Sequence, residues 1–585
     1  MKIKHFFSAN QQIQKNVQGQ PGFLLTNQLG GYLWLDDEPV SRYQGWFFTT
    51  ADLAGKKIFK VIEDIQLSAP NQITELRNNF WNAERVRGHL RETFFMPCFF
   101  NALVYNVDQP KNIEIVLDIK ESYDNREDGR HYEIERKGDL VVVKYYQTDG
   151  ELAPVFLAIK SEPMRLRQLE QWILRQYDFD KNRNSPPFER RVFKALRLLG
   201  AQKIVFAADQ DKDKAITTAE HVFKNEAALE ESKKNEINKL IFKKSISDKQ
   251  TNTAYLCAKN ALRSLIVSPG LYAGLPWFFQ FWKRDEAVCL KALAKIAPQT
   301  AKSIFLRQLG ELTSQNKFLD SFGWLVKRLA DFKQAKIFSN TEIRKAKNDL
   351  KVIMSKLGDD FFWCESKETW MDSIDRSGAP LEMQALKLQI YKFLAGFWRN
   401  NKYANIEKSL RRRVRKNFWN GKILADRIEL DRKTADFTIR PNIFLAAYIY
   451  PDLLAKQEWI LCFKNILPKL WLNWGGLASI DKTHPSFRPW HTGEHPQSYH
   501  QGDSWFYLNN LAALALLRTD GEVFKKYINK ILQASTCEIL WNGIAGHHAE
   551  LSSANDFKSQ GCLSQAWSSA MYVELVDALS ITHEL

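Results

Sequence analysis

The chain has 585 residues, of which 45% are hydrophobic and 13% aromatic, with 83 Lys+Arg against 67 Asp+Glu and a formal net charge of +16. That length is too great for one hydrophobic core and predicts at least two domains, and the apolar content excludes an intrinsically disordered chain. The positive charge raises nucleic acid as a partner, but only "KSLRRRVRKNF", Lys408 to Phe418, is densely basic, so a solvated helix face is the reading preferred and no nucleic-acid partner is expected.

The first residues, "MKIKHFFSANQQIQ", lack the apolar core of a signal peptide, and no window approaches the ~20 apolar residues of a membrane helix. The seven cysteines are scattered and never spaced as CxxC, which suits a reducing compartment. A cytoplasmic protein with no membrane partner is therefore expected.

Residues 1–208 read as short extended runs. "NIEIVLDIK", "GDLVVVKYY", "PVFLAIKS" and "KIVFAADQ" cluster β-branched and aromatic residues between Gly, Pro, Asn and Asp, which predicts an antiparallel β-sandwich. Residues 209–250 are charged, almost free of breakers and periodic as a helix, and are read as a helical linker. From 251 to 585 the period is helical throughout, in segments such as "TNTAYLCAKNALRSLIV", "DEAVCLKALAKIA" and "KQEWILCFKNIL". Many antiparallel helices in succession imply a stacked or closed array of helical hairpins.

Five loops in this helical part combine aromatics with acids. "AGLPWFFQFWKRDEAV" holds Trp277, Trp282, Arg284 and Asp285, and "DSFGW" holds Asp320 and Trp324. "ETWMDS" holds Trp370 and Asp372, "SYHQGDSW" holds His500, Gln501 and Trp505, and "GIAGHHAELSSANDF" holds His547, His548 and Glu550. Aromatic rings stack on pyranose faces, and Arg, Asp, His and Gln satisfy sugar hydroxyls, so the mixture describes a sugar pocket. Cleaving a glycosidic bond then requires two carboxyl groups flanking the anomeric carbon. Asp372 directly follows Trp370 and Met371, and an indole wall would raise its pKa toward that of a general acid.

Other readings stay open at several positions. Asp375 and Arg376 can be a solvated turn. Glu382 is either a substrate contact or a helix-face charge, His500 a ligand-facing or a core histidine, and Trp567 a subsite or a core residue. His547 and His548 are adjacent, so on an extended strand they face opposite ways; no metal and no other cofactor is expected.

In chain order, "TNQLGGYLW", "SRYQGWFF", "PWFFQFWKRD", "TWMDS", "LEMQAL", "RPNIFLAAY", "YHQGDSW", "AEL" and "GCLSQAWSSA" resemble the motif series of bacterial and archaeal glycogen debranching enzymes. The resemblance spans nearly the whole chain and implies an α+β multidomain fold, an N-terminal β-sandwich followed by an (α/α)6 toroid of glucoamylase type. It implies an amylo-α-1,6-glucosidase that releases glucose from the branch stubs of glycogen-like α-glucans with inversion. Asp372 would be the general acid and Glu550 the general base, with Arg284 and Asp285 gripping the terminal glucose. Trp277, Trp282, Asp320, Trp370, Glu382, His500, Gln501 and Trp567 complete the expected substrate-binding set. Departures stand at Gln44, Lys283, Phe506 and Leu551 to Ala554, and these put the substrate range in question more than the chemistry. Two alternatives are an exo-hydrolase of another α-glucoside, such as an α-1,4 end, and a noncatalytic glucan-binding protein.

Overall fold

The computed structural model describes residues 1–8, 11–19, 21–37, 40–50, 57–68, 71–150, 152–241, 246–314 and 319–581. The chain divides into two compact units. The first comprises Met1–Ser268, Leu275–Phe279 and Ile539–His547; the second comprises Pro269–Gly274, Gln280–Glu538 and His548–Leu585.

The first unit is built on one hydrogen-bonded network of strands, antiparallel except where Lys2–Ser8 runs parallel to Glu75–Asn78. Strand Ala102–Glu121 organises it. Its twenty residues shift register through bulges, which lets one strand pair with Leu90–Phe95, Lys57–Leu67 and Glu189–Asp209 in turn. All four β-runs read from the sequence fall on strands. A short helix, α1 (Asp178–Asn182), interrupts them.

The expected linker contains α2 (Lys212–Ile241), a helix of 30 residues, and it does not behave as a spacer. Ala215, Ile216, Ala219 and Val222 are buried in one cluster with Val104, Val142, Ala158 and Val205 of the sheet. The apolar stripe, masked in the sequence by a heavily charged outer face, packs the helix onto the strands. Residues 242–245, within the same expected segment, lie outside the described residues. Helix α3 (Lys249–Ser264) also belongs to the first unit, so the division falls after Ser268.

The second unit is helical. In order it contains α4 (Lys283–Ile296), α5 (Pro298–Leu312), α6 (Leu319–Gln334), α7 (Asn340–Met354), α8 (Leu381–Trp398), α9 (Asn401–Phe418), α10 (Asn442–Ile449), α11 (Lys456–Leu470), α12 (Phe506–Trp541) and α13 (Ala566–Ile581). Helix α12 breaks at Asp520, whose extended φ of −165° and ψ of 97° split a single sequence pattern into two segments.

Inner helices pack in succession, α4 on α6, α6 on α8 and α8 on α10, with α13 closing back onto α4. Burial follows the sequence: every residue of α10, "NIFLAAYI", is buried, whereas α9 on the outside buries only Leu410, Val414 and Phe418. Among the inner helices lies a buried polar hub. Arg328 Nη2 donates to Glu574 Oε1 at 2.7 Å, and Arg328 Nη1 donates to the Tyr448 hydroxyl at 3.1 Å. That hydroxyl donates to Glu574 Oε2 at 2.7 Å, and Lys291 approaches the same carboxylate at 3.2 Å. Removing either partner of such a buried pair would strand a charge, so the hub fixes the register of α4, α6, α10 and α13. Arg284, Asp320 and Trp567 lie about two helical turns, or roughly 11 Å, along the same helices from Lys291, Arg328 and Glu574.

Candidate active site

At this end of the ring the loop 361–380 carries Asp372. The loop is closed at its base, where Cys364 and Gly378 exchange backbone hydrogen bonds. Gly378 has φ +124°, and a Cβ there would overlap the carbonyl of Ile428, so glycine is required. Inside the loop Arg376 is buried, at 3% exposure, and not part of a solvated turn. It donates from Nε to Asp426 Oδ2 at 2.8 Å, from Nη2 to Glu382 Oε2 at 3.0 Å and from Nη1 to Thr369 Oγ1 at 3.1 Å. Thr369 and Arg376 thereby grip the chain on both sides of Asp372. Asp375 is exposed and accepts from the backbone N–H of Ser377, as a turn residue should.

Glu382 is not a solvated helix-face charge: it lines the same pocket as Arg284, Asp320 and Trp567. It is buried as an ion-pair partner of Arg376, because two carboxylates are needed to neutralise and orient a guanidinium held away from water. His500 is fully buried and sits behind the acid loop: its Nδ1 lies 2.7 Å from Ser373 Oγ and accepts from the Ser373 N–H. Its ring stacks on Trp505 at 5.0 Å and 2°, and burial, reinforced by Arg440, Arg376 and Arg284, holds the imidazole neutral, well below its ordinary pKa. Trp370 lines the pocket while its indole N–H is anchored on Asn442 Oδ1 at 2.7 Å.

Asp372 itself is exposed to solvent. The surrounding protein nonetheless raises its carboxyl above the usual range by desolvation; Arg284 pulls it back and Asp320 pushes it further up. Asp372 lies open while its loop is rigid, which suits a group that must reach a ligand.

Glu550 is held in the opposite manner. It is buried, at 2% exposure; its Oε1 accepts from the Tyr499 hydroxyl and its Oε2 from the Cys562 N–H at 2.8 Å. Gly561 makes this approach possible, since a Cβ there would overlap Glu550 Oε2. Strand Leu551–Ser552 pairs with Ser504–Trp505, so the segments carrying Glu550 and Tyr499 are tied through one short ladder. Behind them His548 Nδ1 meets Glu538 Oε2, and Glu538 also accepts from the Ala549 N–H at 3.2 Å. His547 belongs to the first unit and His548 to the second, and each is held by separate contacts.

The start of α4 supplies the charges that connect the two acids. Arg284 is ion-paired with Asp320; burial would lower its pKa, but Asp320, Asp285 and Asp372 together hold it firmly charged. Asp285 is buried and its carboxyl is pushed up to about 7 by desolvation, opposed by Arg284 and assisted by the charge of Glu550. Arg284 thus feels Asp372 and Asp285 feels Glu550.

The floor is lined by Arg284, Asp320, Trp324, Trp370, Tyr507 and Trp567. Trp567 stacks on Tyr507 at 4.1 Å and 18°, and its buried indole Nε1 has no hydrogen-bond partner among the described residues. A buried donor left open at the floor of a pocket is a place for a ligand oxygen. Trp282, which precedes α4, is 51% exposed, and Gln501 is half-buried, accepting the Arg488 N–H on its carbonyl at 2.7 Å.

Trp277 is not part of this cluster. It belongs to the first unit, where the Arg183 guanidinium lies 3.6 Å over its ring and Tyr43 packs at 5.7 Å. Its place in "PWFFQFW" suggested a ligand-facing ring, but a Trp flanked by other aromatics is equally suited to packing. Sequence reasoning missed Tyr499, Asp426 and Asn442. Tyr499 stood beside His500 in a motif already singled out; Asp426 and Asn442 gave no signal until folding placed them against Arg376 and Trp370.

The fold and this cluster of acids, aromatics and one arginine define a glycoside hydrolase. Residues 327–574, somewhat under half of the chain, match the family described as amylo-alpha-1,6-glucosidase. A crystal structure of a bacterial glucoamylase complexed with acarbose overlays with a TM-score of 0.64 at 11% identity, covering 97% of this chain and 96% of that one, which identifies the fold as glucoamylase-like. A glycosidase variant in complex with glucose overlays over 58% of this chain and 100% of its own at 10% identity, with a TM-score of 0.44. No curated protein sequence matches the chain. Among the described residues, no helix is long and apolar enough to cross a membrane.

Proposed function

We propose that the protein is an exo-acting amylo-α-1,6-glucosidase that removes single glucose residues from α-1,6 stubs on glycogen-like α-glucans, with inversion at the anomeric carbon. The observation that carries the reading is the contrast between its two acids. Glu550 accepts two hydrogen bonds, which favour a carboxylate. Asp372 is raised by desolvation, which favours a carboxylic acid. One acid is open to solvent where a leaving group can take its proton, and the other is buried with two donors fixing its oxygens, the disposition a proton donor and a water-activating base need.

In the proposed reaction Asp372 gives its proton to the glycosidic oxygen as the bond to the anomeric carbon breaks. Glu550 takes a proton from the water that attacks that carbon from the opposite face. The products are β-glucose and a glucan chain bearing a free 6-hydroxyl. Arg284, Asp285 and Asp320 hold the terminal glucose by its hydroxyls, the Trp567 N–H supplies a donor at the floor, and Trp282 and Gln501 stand where further contacts form. Trp370 and Glu382 line the pocket and also brace the acid loop, and His500 acts through that loop and Trp505 as a positioning residue.

The test is the release of free glucose from phosphorylase-trimmed glycogen compared with linear maltooligosaccharides. Faster release from the trimmed polymer supports the α-1,6 reading. Faster release from linear chains assigns an α-1,4 exo-hydrolase on the same acids, and binding without release from either assigns a noncatalytic glucan binder.

A further inference from the structure

Trp490 is the most exposed tryptophan of the chain, at 57%, and it sits on a segment that is otherwise tied down residue by residue. Phe487 packs inward on Leu472, Ala478 and Ala554. The Arg488 N–H donates to the carbonyl of Gln501 at 2.7 Å, and Gly502 is glycine because a Cβ there would overlap the Arg488 carbonyl. The Pro489 carbonyl accepts from Ser553 Oγ at 2.8 Å and from the Asn555 N–H at 2.9 Å. On the far side His491 Nδ1 lies 2.7 Å from Asp503 Oδ2. Between these anchors Trp490 is the exposed aromatic side chain, with the Arg488 guanidinium beside it folded back onto the Pro485 and Phe487 carbonyls.

The anchors are the site's own loops. Ser553 is three residues from Glu550, so its Cα lies at most about 11 Å away, and Gln501 is two residues from Tyr499. A single exposed tryptophan is ordinary on a protein surface. An indole on a segment fastened to both the Glu550 and the Tyr499 loops is a fixed platform, presented with little conformational entropy left to lose when a ligand binds.

We infer that Trp490 stacks on the glucosyl residues on the leaving side of the scissile bond and selects substrates whose aglycone is a chain and not a single residue. The inference rests on the proposed glucosidase reading. On that reading the terminal glucose is held by Arg284, Asp285 and Asp320, and the rest of the polymer extends past the exposed Asp372 and the loops that hold Trp490. Every α-glucan residue offers an apolar face to an indole, whichever linkage precedes it.

The experiment uses the full chain. The ratio of kcat/KM on phosphorylase-trimmed dextrin to kcat/KM on isomaltose is measured for the wild type, Trp490→Ala and Trp490→Phe. Calorimetric titration of the same dextrin into Asp372→Asn, with and without Trp490→Ala, runs in parallel. The expected result is a fall of the ratio by about 3- to 10-fold in Trp490→Ala, largely restored in Trp490→Phe, with a matching loss of dextrin affinity. An unchanged ratio, or an equal fall on both substrates, overturns the assignment of Trp490 while leaving the glucosidase reading intact. If the wild type hydrolyses no α-glucoside and Asp372→Asn binds no dextrin, the glucosidase reading fails and the assignment falls with it.

Discussion

The hydroxyl of Tyr499 donates to Oε1 of Glu550, and the carbonyl of the same tyrosine accepts the indole N–H of Trp505 at 2.8 Å. The proposed base is thus oriented by a residue that is itself fixed by an aromatic from the next turn of chain. Tyr499→Phe removes one of the donors that favour the carboxylate form. The expected outcome is a fall in kcat of about 10- to 100-fold and a move of the acid limb of the kcat/KM profile to higher pH, because a carboxylate with fewer donors gains its proton more readily. A pH–rate profile checks this; an unmoved acid limb would separate Tyr499 from the base.

The two acids themselves should each carry a large share of turnover. Asp372→Asn and Glu550→Gln are expected to lower kcat by about 10² to 10⁴-fold in proteins that still melt cooperatively. Asp375→Asn, three residues from the acid but exposed, is expected to change kcat less than about twofold. Steady-state kinetics together with thermal melts decide it, and near wild-type turnover in either acid variant would remove that residue from its role.

How much of this was legible in the sequence depends on what each residue reports locally. Period-2 runs located the strands and period-3.6 runs the helices, because those patterns arise from one-sided burial within a single element. Asp372 stood close to Trp370 and could be picked out from its surroundings, whereas Glu550 came from the resemblance to the debranching enzymes, since no Trp or Tyr adjoins it in the sequence. Arg376 could not, because nothing adjacent shows that Asp426, fifty residues on, will neutralise it inside the fold. The charged outer face of α2 likewise concealed its apolar stripe, and Trp277 looked like its neighbours while packing under Arg183. Partners distant in sequence were invisible; composition near a residue was not.

Arg376 gives the corresponding stability prediction. Arg376→Met leaves Glu382 buried without its cation and Asp426 with only Arg440, at 3.9 Å, to balance it. Breaking a buried pair by deleting one partner typically costs about 3–5 kcal/mol, and a melt of Arg376→Met should show a loss of that order. Since the same guanidinium grips Thr369, activity should fall beyond what the lost stability explains, which kcat measured well below the melting range will reveal.

Asp285 yields a prediction whose sign depends on pH. Its carboxyl is raised in the fold to about 7 from an ordinary value of 3.8. For an acid with a raised folded-state pKa, the cost of ionising inside the fold is absent below pH ~4, where both states are protonated. It grows as pH rises toward 7 and is fully present above that. Asp285→Asn cannot ionise, so its thermal midpoint relative to the wild type should become progressively more favourable from pH 4 to pH 8, by an amount worth no more than about 4 kcal/mol. Glucose release should nevertheless drop at every pH, because the asparagine cannot balance Arg284 or accept two sugar hydroxyls as a carboxylate does. Melts of the two proteins across that range test the linkage directly. A difference that stays flat or shrinks with rising pH would mean that Asp285 is already ionised beside Arg284 at low pH, and that the burial of this carboxyl is outweighed by its cation.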